Sequence, residues 1–523
     1  MTTYATVGMQ RIQTHLARCR HLWGRRGASE ELAHLTKLPS REEQDASADD
    51  DLAVTQVLSK YPDVEINPEG LDIDGVVSLR SKQGGEQKVK EAADTLAQII
   101  RERLPGITVT VRHTESTDSY AMVAQNEDAW ESETWYPAAT EFPVARLCCE
   151  CYRDPAAGTY EDHADADAGS TSREVRLCVD CGTRHGEAER WRKSNMEAHT
   201  VDAAPGSTSV FPNRFTAEGW LLRELRGTEE HGDITFAKDF EALGRIGPID
   251  KDPDENRQRR GRTHEGNHTA LIFADGNGMG GLFKKLMQEA ANSTPNGDST
   301  KKVRDISKKI KQATADALLT ATKKILTKND SICPVVPHIN GGDDVLISVT
   351  APRAWQFIRS FLSELEKPFD DIEKECGHPV SMSAGIVICK AEYPFSTQVE
   401  LAESLMRRAK KAVHGEGWSF AWLDVTHDGI NTDEHQPWLL DDLTKRTDAL
   451  DHLRGVITAH GETALLRALN AESGDDLRLI HLSRRMSDIK DFLGLLPETK
   501  EINKKEEQMR LISELVSIGR WWR

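Results

Sequence analysis

The chain contains no run of about 18 apolar residues, the length a membrane-crossing helix needs. It also lacks a charged-then-apolar leader, a low-complexity tract and a short-period repeat. A cytoplasmic location is therefore expected. Positive charge is in short supply: 67 Lys and Arg stand against 85 Asp and Glu, for a formal net charge of −18. Gripping nucleic acid with the whole surface takes clustered cations to neutralise phosphates, so this balance argues against it. Local patches remain, with Lys301, Lys302, Lys308, Lys309, Lys311, Lys323 and Lys324 crowding one segment and Arg257, Arg259, Arg260 and Arg262 another. Solvated surface charge is the plainer account of both. Cysteine is sparse too: four of the nine form two C-x-x-C pairs and the rest are scattered, which excludes a disulfide framework and implies a reducing compartment.

What is present is a soluble globular composition, 38% hydrophobic and 29% charged, in 523 residues, too many for one ordinary core. Met9 to Leu35 reads as helix broken near Gly24 to Gly27, and Arg41 to Asp51 as a charged loop. Gly75 to Leu79 and Ile107 to Val111 read as strands around a helix carrying Val89, Ala92, Ala93, Leu96, Ile99 and Ile100. Residues 1–140 thus form a small first domain, and residues 141–264 a cysteine-bounded insert with connecting material. Residues 265–432 alternate again. A strand from Ala270 to Ala274 leads to a glycine turn, a helix, a loop at Asn292 to Ser299 and a long amphipathic helix from Val303 to Ile325. A tight hairpin at Gly341-Gly342, a helix from Ala354 to Leu365, a strand from Val380 to Cys389 and a helix from Leu401 to Ala412 follow. One tight hairpin among alternating strands and helices requires a mixed sheet, so the fold class is α+β with ferredoxin-like palms. Residues 433–523 read as an all-helical tail.

The chemistry lies in two stretches of the second palm. Leu271-Ile272-Phe273-Ala274-Asp275-Gly276 ends an apolar strand in a carboxylate, and His338-Ile339-Asn340-Gly341-Gly342-Asp343-Asp344 puts two more at a hairpin turn. Two-metal phosphoryl transfer needs such carboxylates to bridge cations about 3.5–4 Å apart. Asp275, Asp343 and Asp344 are the candidate catalytic and Mg²⁺ or Mn²⁺ ligands, with the main chain of Gly276 beside them. Side chains alternate along a strand, so Asp343 ranks ahead of Asp344 as the indispensable ligand. Gly276, Asn277, Gly278, Gly341 and Gly342 let main chain approach a triphosphate closely.

Gly276-Asn277-Gly278-Met279-Gly280-Gly281 also satisfies the dinucleotide-binding fingerprint G-x-G-x-x-G. That fold expects an acid at the tip of a second parallel strand about 20 residues on, where this chain has helix and polar loop near Glu289. Lys410 could reach a phosphate as a point charge, or be one more solvated lysine beside Arg407, Arg408 and Lys411. Cys148-Cys149-Glu150-Cys151 and Cys178-Val179-Asp180-Cys181 are two knuckles 26 residues apart, the pattern of a closed structural Zn²⁺ site. Cys148, Cys151, Cys178 and Cys181 are the expected ligands and Cys149 the spare, with a register that could exchange Cys149 for Cys148. The metal would staple a loop-rich segment poor in apolar core.

Together, Ala270 to Gly281, His338 to Val349, Ser381 to Ile386 and Ala402 to Lys410 resemble a palm found in diguanylate cyclases and in the large polymerase-like subunit of type III CRISPR effector complexes. The doublet Asp343-Asp344, and Asp275-Gly276-Asn277-Gly278-Met279-Gly280, favour the latter, and Gln10 to Leu32 is similar to the opening of its first, degenerate palm. The resemblance implies conversion of ATP to cyclic oligoadenylate, with Asp275, Asp343 and Asp344 on the metals, Gly341 and Gly342 at the turn and Lys410 on the triphosphate. It also implies guide RNA, target RNA and other effector subunits as partners. Many members begin with an HD nuclease domain, whereas this chain enters the first palm at once, so no DNase activity is expected and a compact stand-alone relative is an open alternative. His427-Asp428 and Asp451-His452 read as surface residues. The competing functions are synthesis of another cyclic nucleotide or dinucleotide, and a nucleotide-binding scaffold without turnover.

Overall fold

The computed structural model describes residues 2–19, 21–38, 52–70, 75–81, 86–137, 146–162, 173–188, 216–227, 234–249, 266–292 and 300–455, with 461, 464–465, 482–484, 486–496 and 502–522 in the tail. The expected loops at Arg41 to Asp51 and 293–299 and the arginine cluster at 257–262 lie outside the described residues. Among the described residues no helix is long and apolar enough to cross a membrane.

Two sheets organise the chain. The first contains β1 (Thr2–Gln10), β2 (Val64–Ile66), β3 (Val76–Ser81), β4 (Thr108–Ser116) and β5 (Glu131–Trp135), in the order β2-β3-β1-β4-β5. All its pairs are antiparallel. The helix Glu86–Arg103 lays Val89, Ala92, Ala93, Leu96 and Ile100 on Val7, Val77, Leu79, Val109 and Val111, a 3.6-residue stripe against a two-residue alternation. The helical break expected at Gly24 to Gly27 is elsewhere. One helix ends at Ala17, and a second runs unbroken from Leu22 to Thr36 through both glycines. Gly27 is needed there for packing: a Cβ would lie 1.9 Å from the Arg184 carbonyl oxygen of a neighbouring helical stretch.

After a small hairpin of β6 (Gly158–Asp162) and β7 (Arg173–Leu177), the second sheet is built from β8 (His268–Asn277), β9 (Val335–Asn340), β10 (Val345–Thr350), β11 (Ser381–Lys390), β12 (Ser419–Asp424) and β13 (Trp438–Leu439). Its order is β13-β12-β11-β8-β10-β9. Its first four strands in chain order, β8 to β11, repeat the first sheet's arrangement, with the first strand between the third and fourth and the second at the edge, which is the ferredoxin-like palm. β8 is antiparallel to both β10 and β11, and this removes the dinucleotide-binding alternative, whose glycine turn belongs to a parallel βαβ unit. The only parallel pair among the named strands, β11 with β12, is bridged by the helix Phe395–Ala412.

Burial on both faces explains why these strands read as continuous apolar runs. Ala270, Ile272 and Ala274 face the helices Met279–Ala291, Lys301–Ile325 and Ala354–Cys376, whereas Leu271 and Phe273 face Phe395–Ala412 and Leu22 of the first palm. The tail is not all helix, because Trp438 and Leu439 pair with Phe420 and Ser419 as an edge strand. Its buried side chains, from Leu440 and Leu450 to Leu515 and Trp521, join the apolar core of the second sheet. Of the acid–histidine pairs in or near the tail, His427 and Asp451 are exposed, as expected of surface residues, and Asp428 and His452 are half-buried. They are nonetheless bonded: Asp428 lies between His435 at 2.9 Å and Arg520 at 3.5 Å, His427 bonds the fully buried Asp424 at 2.7 Å, and Asp451 accepts the Trp522 indole N–H at 2.7 Å. The Trp521 indole N–H, donating to Asp424 at 2.8 Å, pins the last helix, Ile502–Trp521, to the end of β12.

Candidate active site

Asp275 sits near the C-terminal end of β8, and a four-residue loop, 341–344, joins β9 to β10. The Gly341 N–H donates to the Asp344 carbonyl at 2.9 Å to close the loop, and Gly342 turns it with φ 91°. The alternation used to rank Asp343 ahead of Asp344 does not apply, since both precede β10 and belong to the loop. Val345 pairs with Ala274, so one further step places Asp344 against Asp275. Asp343 lies against Gly276, where a Cβ would come within 2.9 Å of its own Cβ. A side chain at 276 would drive the loop off the strand.

The three carboxylates are thereby crowded and half-buried. Burial, then the hydrogen bond and charge of Asp275, then the charge of Asp343, push Asp344 up to about 8, and burial raises Asp343 as well. One nearby cation offsets them: Lys410 Nζ lies 2.5 Å from Asp275 Oδ2 and 2.8 Å from the Gly276 carbonyl. Its neighbours on the helix turn elsewhere, Arg407 to Glu403 and Arg408 to Asp433. The Gly276 carbonyl expected on a metal thus meets Lys410 here. Asn277 is fully buried, its amide donating to Ser381, Ser383 and the Gly417 carbonyl, so only its backbone is left to meet a nucleotide. Gly278, with φ 76°, opens the helix Met279–Ala291 immediately beside this cluster. The donor set, three carboxylates and a main-chain carbonyl, suits hard divalent cations such as Mg²⁺.

One contributor had no signal in the sequence. Gln13 Nε2 of the first palm donates to Asp344 Oδ2 at 3.4 Å, across 331 residues of chain.

The lysine-rich helix Lys301–Ile325 has three of its seven lysines neutralised by glutamates. Lys302 pairs with Glu289 at 2.9 Å, Lys309 with Glu375 at 2.5 Å and Lys324 with Glu364 at 2.6 Å. The knuckles do converge: the Sγ atoms of Cys148, Cys151, Cys178 and Cys181 all lie within 4.8 Å of one another, and Cys149 is exposed. Cys151 and Cys178 are 3.9 Å apart, close to the roughly 3.8 Å that Zn–S bonds of about 2.3 Å impose across a tetrahedron. The four thiols fit one structural Zn²⁺.

A ferredoxin-like sheet whose acidic hairpin meets an acidic first strand defines a palm of the nucleotide polymerase and cyclase class. Residues 268–416 match the family model described as Cas10/Cmr2, second palm domain. Among solved structures, a Csm1–Csm4 cassette in complex with cA3 is 11% identical, with 100% of this chain and 70% of that chain covered at a TM-score of 0.49. The same cassette with one ATP gives 11%, 100%, 70% and 0.48. A type III-B Cmr-beta complex in the apo state gives 10%, 96%, 78% and 0.43. No curated protein matches this chain in sequence.

Proposed function

We propose that this chain is a two-metal nucleotidyltransferase that joins and cyclises ATP into cyclic oligoadenylate, as the palm subunit of an RNA-guided type III CRISPR effector. The observation that carries the reading is the gathering of Asp275, Asp343 and Asp344 at one edge of a Cas10-type palm, with Lys410 beside them. Divalent cations held by these carboxylates would activate the attacking hydroxyl and neutralise the triphosphate. Asp275 and Asp344 face each other across the β8–β10 register, so a divalent cation held by them would offset the burial and the mutual repulsion that raise the Asp344 pKa. The backbone at Gly276, Gly278, Gly341 and Gly342 offers main-chain groups to phosphate oxygens, and Lys410 adds a point charge on the same side. The four-cysteine site holds Zn²⁺ and takes no part in the chemistry, because four thiolates close its coordination.

The test is incubation of the purified protein, with and without its effector partners and RNA, with each nucleoside triphosphate and Mg²⁺ or Mn²⁺. Products are identified by mass spectrometry. Cyclic oligoadenylate from ATP that vanishes in the Asp343→Ala/Asp344→Ala double variant is the expected outcome. A different cyclic product would move the reading to another base or ring size. Nucleotide binding with no product under any activating RNA would leave a scaffold subunit.

A further inference from the structure

Resting on that nucleotidyl-transfer reading, we propose that Gln13 of the first palm is a positioning residue for Asp344, and that the two cysteine knuckles hold it in place. Gln13 occupies the six-residue helix Ile12–Ala17, which packs on Phe395–Ala412, the helix that carries Lys410. Its amide N–H meets Oδ2 of Asp344. A bond to one carboxylate oxygen sets the rotation of the group and leaves the other oxygen directed to a cation, the usual service of outer-shell partners. The amide is neutral, so unlike Lys410 it does this without competing for the cation's place.

A helix of six residues does not hold itself in water. One knuckle's interior carboxylate bonds the turn that follows this helix directly, and the other's reaches the helix through Arg184 and the Gly106 backbone. Glu150, between Cys148 and Cys151, accepts the His21 backbone N–H at 2.8 Å. Asp180, between Cys178 and Cys181, accepts the Gly106 N–H at 3.2 Å and Arg184 at 2.6 Å. Arg184, fully buried, donates in turn to the His15 carbonyl at 2.9 Å and to Cys19 Sγ at 3.0 Å, and Arg18 donates to the Gly106 carbonyl at 2.6 Å. The segment that carries Gln13 is therefore fastened to the cysteine cluster by buried polar bonds on its C-terminal side, and any shift of the knuckles is passed to residue 13.

The experiment compares wild type, Gln13→Ala and the near-isosteric Gln13→Met by calorimetric titration of the nucleotide-free full chain with Mn²⁺ at one pH. Zinc content, Tm, kcat and KM for ATP are measured alongside. Both variants are expected to keep zinc and Tm, to bind Mn²⁺ about 10-fold more weakly and to lose kcat with little change in KM. Wild-type Mn²⁺ affinity in Gln13→Met would overturn the proposal, because bulk alone would then suffice. Arg184→Lys, which keeps the charge but cannot span three acceptors, is expected to weaken Mn²⁺ binding with zinc retained. Arg18→Ala replaces it should that variant not fold. Unchanged Mn²⁺ affinity in the folded, zinc-loaded variant would overturn the part given to the knuckles. The titration needs no turnover, so a wild type that makes no product refutes the enzymatic reading while leaving the role of Gln13 to be judged by Mn²⁺ alone.

Discussion

At the scale of single residues the site is governed by charge crowding. Asp344 releases its proton near 3.8 in an unfolded chain and near 8 in the folded, metal-free one, so the native state binds more protons throughout that interval. The stability this group contributes is fully present below the unfolded value and is lost as pH rises through about 8. The Tm of metal-free protein should therefore fall between pH 6 and 8 and level off above, as followed by scanning calorimetry. Asp344→Asn, which cannot ionise, should flatten the slope. Mg²⁺ should restore stability most at the alkaline end, since it binds the ionised native site and not the unfolded chain. The doublet and Asp275 are legible in the sequence because acids placed after apolar runs and next to glycine are local patterns. Their crowding, and the buried tie of Asn277, depend on which strand lies beside which, and no local pattern carries that.

At the scale of elements the helix Phe395–Ala412 decides whether Lys410 reaches the acids. It lies so close on β11 that a Cβ at Gly385 would sit 2.0 Å from the Ala402 carbonyl oxygen and 2.6 Å from the Met406 backbone nitrogen. Both are backbone atoms, so the helix must move as a body. Gly385→Ala should destabilise the chain by about 3 kcal/mol. It should also draw Lys410 away from Asp275, lowering turnover in the fraction that still folds; urea unfolding at fixed pH gives the first effect from the midpoint at unchanged m. On the opposite flank the first palm inserts Arg25, whose guanidinium lies 3.4 Å over the Phe395 ring and donates to His338 Nε2 at 3.2 Å. Burial and the adjacent Arg25 hold His338 well below its ordinary pKa, keeping it a neutral acceptor at the end of β9 that leads into the acidic loop. The amphipathic helices were readable from their periodicity. The break at Gly24 to Gly27 was misread because glycine signals a turn when seen locally, and here it serves a close helix contact.

At the scale of the whole molecule the cysteine insert connects the two palms. Treating the protein as purified with a Zn²⁺ chelator should lower Tm and accelerate amide hydrogen exchange in 179–188 and in Ile12–Ala17. The central strands β8 and β11, covered on both faces, should keep their protection; peptide-level mass spectrometry after deuterium labelling resolves the two. Equal exchange with and without zinc would show that the four thiols hold nothing the fold depends on. The two palms share one strand order, yet only the second joins its hairpin through Gly-Gly-Asp-Asp. The sequence displayed that difference plainly, while the common topology emerged only once β1 and β2 were seen in register.

The sequence by itself determined the α+β class, the acidic turn, the four thiols and the excess of negative charge, because each is a matter of residue type at short spacing. The tertiary structure alone decided that Asp344 faces Asp275, that Lys410 stands beside them while Lys302, Lys309 and Lys324 pair with glutamates, and that Gln13 reaches the site from the far end of the chain. Those are contacts between distant segments. They are set by which apolar faces bury one another, and the residues that meet at the seam carry no mark of it in their own neighbourhoods.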